Sequence, residues 1–125
     1  MDKHGTVSIW FGNIKNQEAL DRYVHLTYDD DGDSVPSRFF LEFDININEV
    51  DEDFIEKTVL ENHSNDLSTL LEGCSYEEII IPEMRKILRI KHHYNSSIMI
   101  YNFEYEETVK TVGSFDYITS TSYLK

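Results

Sequence analysis

Asp29, Asp30, Asp31 and Asp33 stand around Gly32 in the densest run of possible cation ligands in the chain. A calcium loop of the EF-hand kind needs oxygen ligands at its first, third and fifth positions, a glycine at the sixth and a bidentate glutamate at the twelfth. With Gly32 at the sixth, Thr27 falls at the first and Arg38 at the last, and neither can serve. A plain acidic turn is the simpler reading. The alternative is a small metal- or small-molecule-binding domain, or an enzyme, that uses loop 29–33. Nucleophilic chemistry would need a base to activate Cys74, the one cysteine, and His63, His92 and His93 have no spacing that links them to it. A free cysteine is more often a small buried apolar residue. His92 and His93 are adjacent, so their side chains diverge and lack the i, i+4 geometry of a zinc pair. A solvated helix end suits them better. The pairs Glu77–Glu78 and Glu106–Glu107 are neighbours in sequence and do not converge across a cleft. With 24 acids in the chain such pairs arise by chance. No phosphate-cradling glycine loop is present. The expectation is therefore a protein that is not an enzyme, with no catalytic residue, metal site or cofactor.

Charge is the more informative property. The 125 residues carry 24 Asp plus Glu against 11 Lys plus Arg, a net charge of −13. Eleven of those acids lie between Asp29 and Glu56, where Arg38 is the one base, so this stretch holds −10 of the total. Arg85, Lys86, Arg89 and Lys91, followed by His92 and His93, form an opposing basic strip. Phosphates would repel such a chain, which argues against a nucleic-acid or anionic-membrane partner. A single-signed patch also repels itself, and a solvated face that aids solubility is the bland account of it. The functional account is a docking surface for a basic partner, with Asp29, Asp30, Asp31, Asp33, Glu49, Asp51, Glu52 and Asp53 as candidate contacts. Complementary charge of this kind speeds encounter and rejects wrong partners.

The elements that would position these residues follow from periodicity. Thr6 to Phe11 alternates Val7, Ile9 and Phe11 against Ser8 and Trp10 and predicts a strand, with Trp10 packing into a core from the opposite face. Asn16 can cap a helix to about His25. Tyr28 to Ser34 reads as a loop, and Phe39, Phe40 and Phe43 fit a short helix face, with a strand as the alternative. Asp51 or Asn48 can cap a second helix that turns Phe54, Ile55, Thr58 and Val59 inward. A short helix follows over Ser64–Gly73, and another opens at Ser75, with a kink or restart at Pro82. Ile98 to Phe103, apolar on both faces, predicts a central strand, and Val112 to Thr119 predicts a last strand that could pair with it as a hairpin. The expected fold class is α+β: one domain over 1–125, with a core from about 6 to 119. Its small mixed β-sheet of about three to four strands packs against several helices. No stretch approaches the roughly 20 apolar residues needed to span a bilayer, and no signal-peptide core follows the N-terminus, so a cytoplasmic location is expected.

Several of these segments together resemble the immunity protein 22 family. They are Val7-Ser8-Ile9-Trp10-Phe11-Gly12-Asn13, the helix with Leu20, Asp21 and Tyr23, and Tyr28-Asp29-Asp30-Asp31-Gly32-Asp33 with Pro36-Ser37 and Phe39. Asp51-Glu52-Asp53-Phe54-Ile55 and Tyr101-Asn102-Phe103-Glu104-Tyr105 complete the set. The resemblance spans roughly Val7 to Tyr105. The tail after Glu107 carries no matching motif, and Pro82 is a departure. It implies a small bacterial cytoplasmic protein, encoded beside a polymorphic toxin, that protects the producing cell by binding that cognate toxin. Such families commonly face nuclease toxins, whose clefts are basic. Inhibition of this kind is by occlusion and carries over no catalytic residues. Oligomeric state is left open.

Overall fold

The computed structural model of the chain describes residues 4–25, 27–28, 30–32, 34–35 and 37–124. It opens with strand β1 (Thr6–Gly12) and helix α1 (Gln17–Val24), which Asn16 caps by accepting the Ala19 N–H at 2.8 Å. A two-residue hairpin follows, β2 (Thr27–Tyr28) with β3 (Ser34–Val35), then helix α2 (Arg38–Glu42). Two 3-10 turns, Ile47–Glu49 and Glu52–Phe54, lead into β4 (Ile55–Ser64). A single turn, α3 (Leu67–Leu70), and helix α4 (Glu77–Ile87) come next. The chain closes with β5 (Tyr94–Tyr101), β6 (Thr111–Val112) and β7 (Phe115–Ser122). The α+β class holds. The main sheet has five strands rather than three or four, in the order β4-β5-β1-β7-β6, and every pairing in it is antiparallel.

Both faces of this sheet are covered. Trp10, Ile98, Ile100, Phe115 and Tyr117 point to one side, under Leu20 and Val24 of α1 and Phe39, Phe40 and Phe43 of α2 and its C-cap. Val7, Ile9, Phe11, Met99 and Tyr101 point to the other, under Leu67, Leu70 and Leu71 and under Ile80, Ile81 and Met84 of α4. Trp10 is fully buried as expected, with four aromatic rings 5.0–6.1 Å from its own. Its Nε1–H meets no acceptor among the described residues, so its contribution comes from the ring alone. Every residue of β5 is buried, and two of its polar side chains bond to the end of β1 and the residues just after it. Ser96 Oγ donates to the Gly12 carbonyl at 2.8 Å, and the Asn95 amide both accepts from Ile14 N–H (2.9 Å) and donates to Ile14 O (2.6 Å).

Four expectations are corrected. The helix predicted after Asp51 is one 3-10 turn, and Ile55, Thr58 and Val59 belong to β4. Apolar residues at i and i+4 share a face in a helix and in a strand alike, and the β-branched side chains here favour the strand. β7 does not pair with β5: it lies against β1 and forms its hairpin with β6. α4 passes through Pro82 without a restart. Pro82 and Glu78 are both exposed, so the Glu78 carbonyl that loses its donor faces water. His92 and His93 lie beyond the end of α4, on the exposed approach to β5, rather than at a helix end.

Gly12 faces Phe115 across the β1–β7 ladder, and a Cβ there would overlap the Phe115 ring, which itself stacks on Tyr23. Gly12→Ala should therefore destabilise the fold by about 1–3 kcal/mol or more. A urea midpoint equal to that of the parent chain would contradict this packing.

Candidate functional site

The acidic stretch is divided by the fold. Asp30 and Asp31 are exposed in the turn of the β2–β3 hairpin, where Gly32 takes a φ of +84°. Asp29 and Asp33 lie outside the described residues, so the cation-loop reading of 29–33 rests partly on residues the structure leaves open. Glu49, Asp51, Glu52 and Asp53 sit on the two 3-10 turns, all exposed. Each turn is started by a side chain that caps its own backbone. Asn46 Oδ1 accepts the Asn48 N–H and Asp51 Oδ1 accepts the Asp53 N–H, both at 3.0 Å. Ile47 and Val50 pack partly into the core beneath, which turns the carboxylates outward.

Two acids of the stretch are engaged internally instead. Glu42 accepts from Tyr23 Oη at 2.8 Å and from Arg38 at 3.1 Å. Glu56 accepts from the Ser75 N–H at 3.0 Å, from Ser75 Oγ and from Tyr101 Oη at 3.0 Å, and so ties the turn before α4 to the sheet.

Sequence reasoning missed a further group of acids. Tyr105 Oη donates to the Phe43 carbonyl, which holds the segment after β5 against the segment after α2. Asp44 and Glu49 thereby line one small cavity, of about 130 Å³, with Glu104 and Glu106. Glu104, Glu106 and Glu107 rim a neighbouring open groove with Tyr117 and Ser120. Among the described residues no Lys or Arg lines either space. Burial pushes the pKa of the Tyr117 hydroxyl up, its hydrogen bond with Ser120 pulls it back, and the nearby charges of Glu107 and Glu104 add to the rise. In sequence these acids are some 60 residues apart, and no local pattern joins them. Among the exposed apolar residues, Leu41 is 66% exposed and Phe54 44%, the latter directly after Asp53.

The family model described as Immunity protein 22 matches residues 7–124. The chain belongs to the Immunity protein 22 family. The match takes in the tail after Glu107, where the sequence shows no motif, and runs through Pro82. No curated protein and no solved structure matches the chain. A member of the Immunity protein 22 family is an immunity protein rather than an enzyme. The one cysteine, Cys74, is half-buried. Burial and then the Glu56 carboxylate push its thiol from 9.0 up to about 12, far from the low values that make a nucleophile. Among the described residues no group of three or more His, Cys, Asp or Glu could hold a metal ion, and no helix is long and apolar enough to cross a membrane. The basic strip is likewise engaged in part. Arg85 reaches Ser68 Oγ at 2.5 Å and Asp66 at 3.9 Å, and Lys86 reaches Glu83 at 3.0 Å.

Burial raises the Tyr23, Tyr94 and Tyr101 hydroxyls as well as the Cys74 thiol, with Glu42, Asp116 and Glu56 adding to it in turn. Above the ordinary thiol value of 9.0 the unfolded chain sheds protons that the folded chain keeps. This contribution to stability is thus whole below about pH 9 and falls as pH rises towards 12. Urea midpoints should decline steadily across that window. A midpoint that held level would contradict the buried, protonated state of these groups.

Proposed function

We propose that this chain neutralises a cognate toxin in the cytoplasm by occluding a basic cleft of that toxin with its carboxylate face. The observation that carries the reading is the convergence of Asp44 and Glu49 with Glu104 and Glu106 around one cavity, lined among the described residues by no Lys or Arg. The exposed acids of the 3-10 turns, Asp51, Glu52 and Asp53, continue from Glu49, and Asp30 and Asp31 of the hairpin turn extend the same sign. Among the described residues none of Glu49, Asp51, Glu52 and Asp53 forms an ion pair, so their field is not neutralised within the chain. Phe54 and Leu41 offer apolar side chains of the kind that anchor an interface whose rim is charged.

A nuclease suits this surface best. Its cleft must attract phosphates and is therefore basic, and carboxylates set on a folded frame can take the place of those phosphates. The toxin is the domain encoded beside this chain, and binding alone, with no chemistry, silences it.

Charge reversal at Asp51 and Asp53 together, or at Glu104 and Glu106 together, should slow association by about tenfold or more at low ionic strength. It should also flatten the dependence of the rate on salt, since steering is electrostatic. Asp29 and Asp31 should behave in the same way. Stopped-flow mixing with the toxin domain over a range of salt reads both quantities. An unchanged rate and an unchanged salt slope would remove the acidic face from the interface.

A further inference from the structure

β4 ends the five-stranded sheet, so its outward N–H and C=O groups have no ladder partner. In a strand the N–H and C=O of one residue point the same way, and successive residues alternate. Val59 N–H donates to Gln17 Oε1 at 3.1 Å, and Lys57 O accepts from Gln17 Nε2 at 3.4 Å. Residues 57 and 59 therefore face outward. The primary amide of Gln17, an acceptor oxygen beside two N–H donors, stands where the peptide of a neighbouring strand would stand. Its hold on Lys57 O is loose, because 3.4 Å is long for such a bond, and its second N–H donates to Asp21 Oδ1 at 3.0 Å. The outward N–H of Lys57 has no partner among the described residues.

This edge lies in a cleft of about 420 Å³. Gln17 and Asp21 of α1 wall it on one side, and residues 70–74, from α3 to Cys74, wall it on the other. The two helical layers that cover the sheet thus also bound the space beyond β4, where a sixth strand would lie. Among the described residues Asp21, Glu56 and Glu72 line the cleft with one cation, Lys57, which lies 3.8 Å from Asp21, so the balance of sign favours a basic segment.

We propose that the outer edge of β4 accepts an extended strand of the toxin, bearing at least one basic side chain, which displaces the Gln17 amide and pairs with residues 55–59. The inference rests on the immunity-protein reading for its partner, and it adds a backbone-paired anchor to the carboxylate face. Main-chain hydrogen bonds supply affinity in strand addition, and side chains on the added strand supply selectivity.

Amide hydrogen exchange on the purified complex with the adjacent toxin domain tests it. Exchange at Lys57 and Val59 should slow by about tenfold or more on binding. Lys57→Pro removes the outward N–H and leaves the ladder to β5 intact, because proline is tolerated on the open side of an edge strand. It should weaken toxin binding by about tenfold while circular dichroism and the urea midpoint report a folded chain. Lys57→Ala, which keeps the N–H, should lose less, and Gln17→Ala should bind at least as fast as the parent. A complex that forms with no slowing at 57 and 59, or a folded Lys57→Pro chain that binds at full strength, overturns the strand site and leaves the acidic face standing. Slowing that appears in the chain alone at high concentration would make the occupant a second copy and overturn the proposal. Failure to form any complex with the toxin domain overturns both readings together.

Discussion

Burial of the sheet on both faces is the constraint on which the rest of the structure depends. β1 and β5 send Trp10, Ile98 and Ile100 one way and Val7, Ile9, Phe11, Met99 and Tyr101 the other. A strand so apolar on each side cannot leave either side in water, so helices must cover both. The polar groups trapped in the middle are bonded across the sheet to segments far away in the chain. Ser8 Oγ, for example, lies 2.7 Å from both the Phe103 carbonyl and Ser120 Oγ, and it accepts the Tyr105 N–H at 3.0 Å. Left unmade, each such bond would cost about 1–3 kcal/mol, a large part of the stability of a domain this small.

The carboxylate face follows from that packing. The aromatic run Phe39, Phe40 and Phe43 is drawn onto the sheet, and the chain leaves it at Asp44 with a positive φ of 56°. Ile47 and Val50 pin the two 3-10 turns by their apolar side chains, which leaves Glu49, Asp51, Glu52 and Asp53 outside. From the far end of the chain, Tyr105 packs against Trp10 and Phe43 and brings Glu104 and Glu106 beside them. Like charges gathered in this way repel one another and lower stability. A binding role accounts for a surface that folding alone does not favour.

How much of this was legible varied with the range of the interaction. Local signals were reliable: the alternation of Val7, Ile9 and Phe11, the Asn16 cap and the α2 face all reappear in the structure, whereas the helix expected over Ser64–Gly73 is one turn, Leu67–Leu70. β4 was misread because Phe54, Ile55, Thr58 and Val59 fit a helical period as well as a strand. Strand pairing was misread because β1, the central partner of both β5 and β7, is about a hundred residues from each. The resemblance carried by Val7 to Tyr105 proved to be membership, over residues 7–124. The acids between 29 and 56 stood out by density, but their company with Glu104 and Glu106 needed the fold. The role of Gln17 at the β4 edge left no mark in the sequence, since an exposed glutamine on a helix is ordinary.

The proposed surface and edge combine into a single proposed mode of binding, in which a partner is steered in by charge and then held by backbone pairing and apolar contact. Nothing in that mode requires a reactive group, in keeping with a Cys74 thiol that stays protonated to about 12. The most direct measurement is the residual activity of the adjacent toxin domain, titrated with this chain under physiological salt. The account predicts activity that falls linearly and is lost at one equivalent, with no added metal or cofactor. Full toxin activity at a large excess of the folded chain would contradict it.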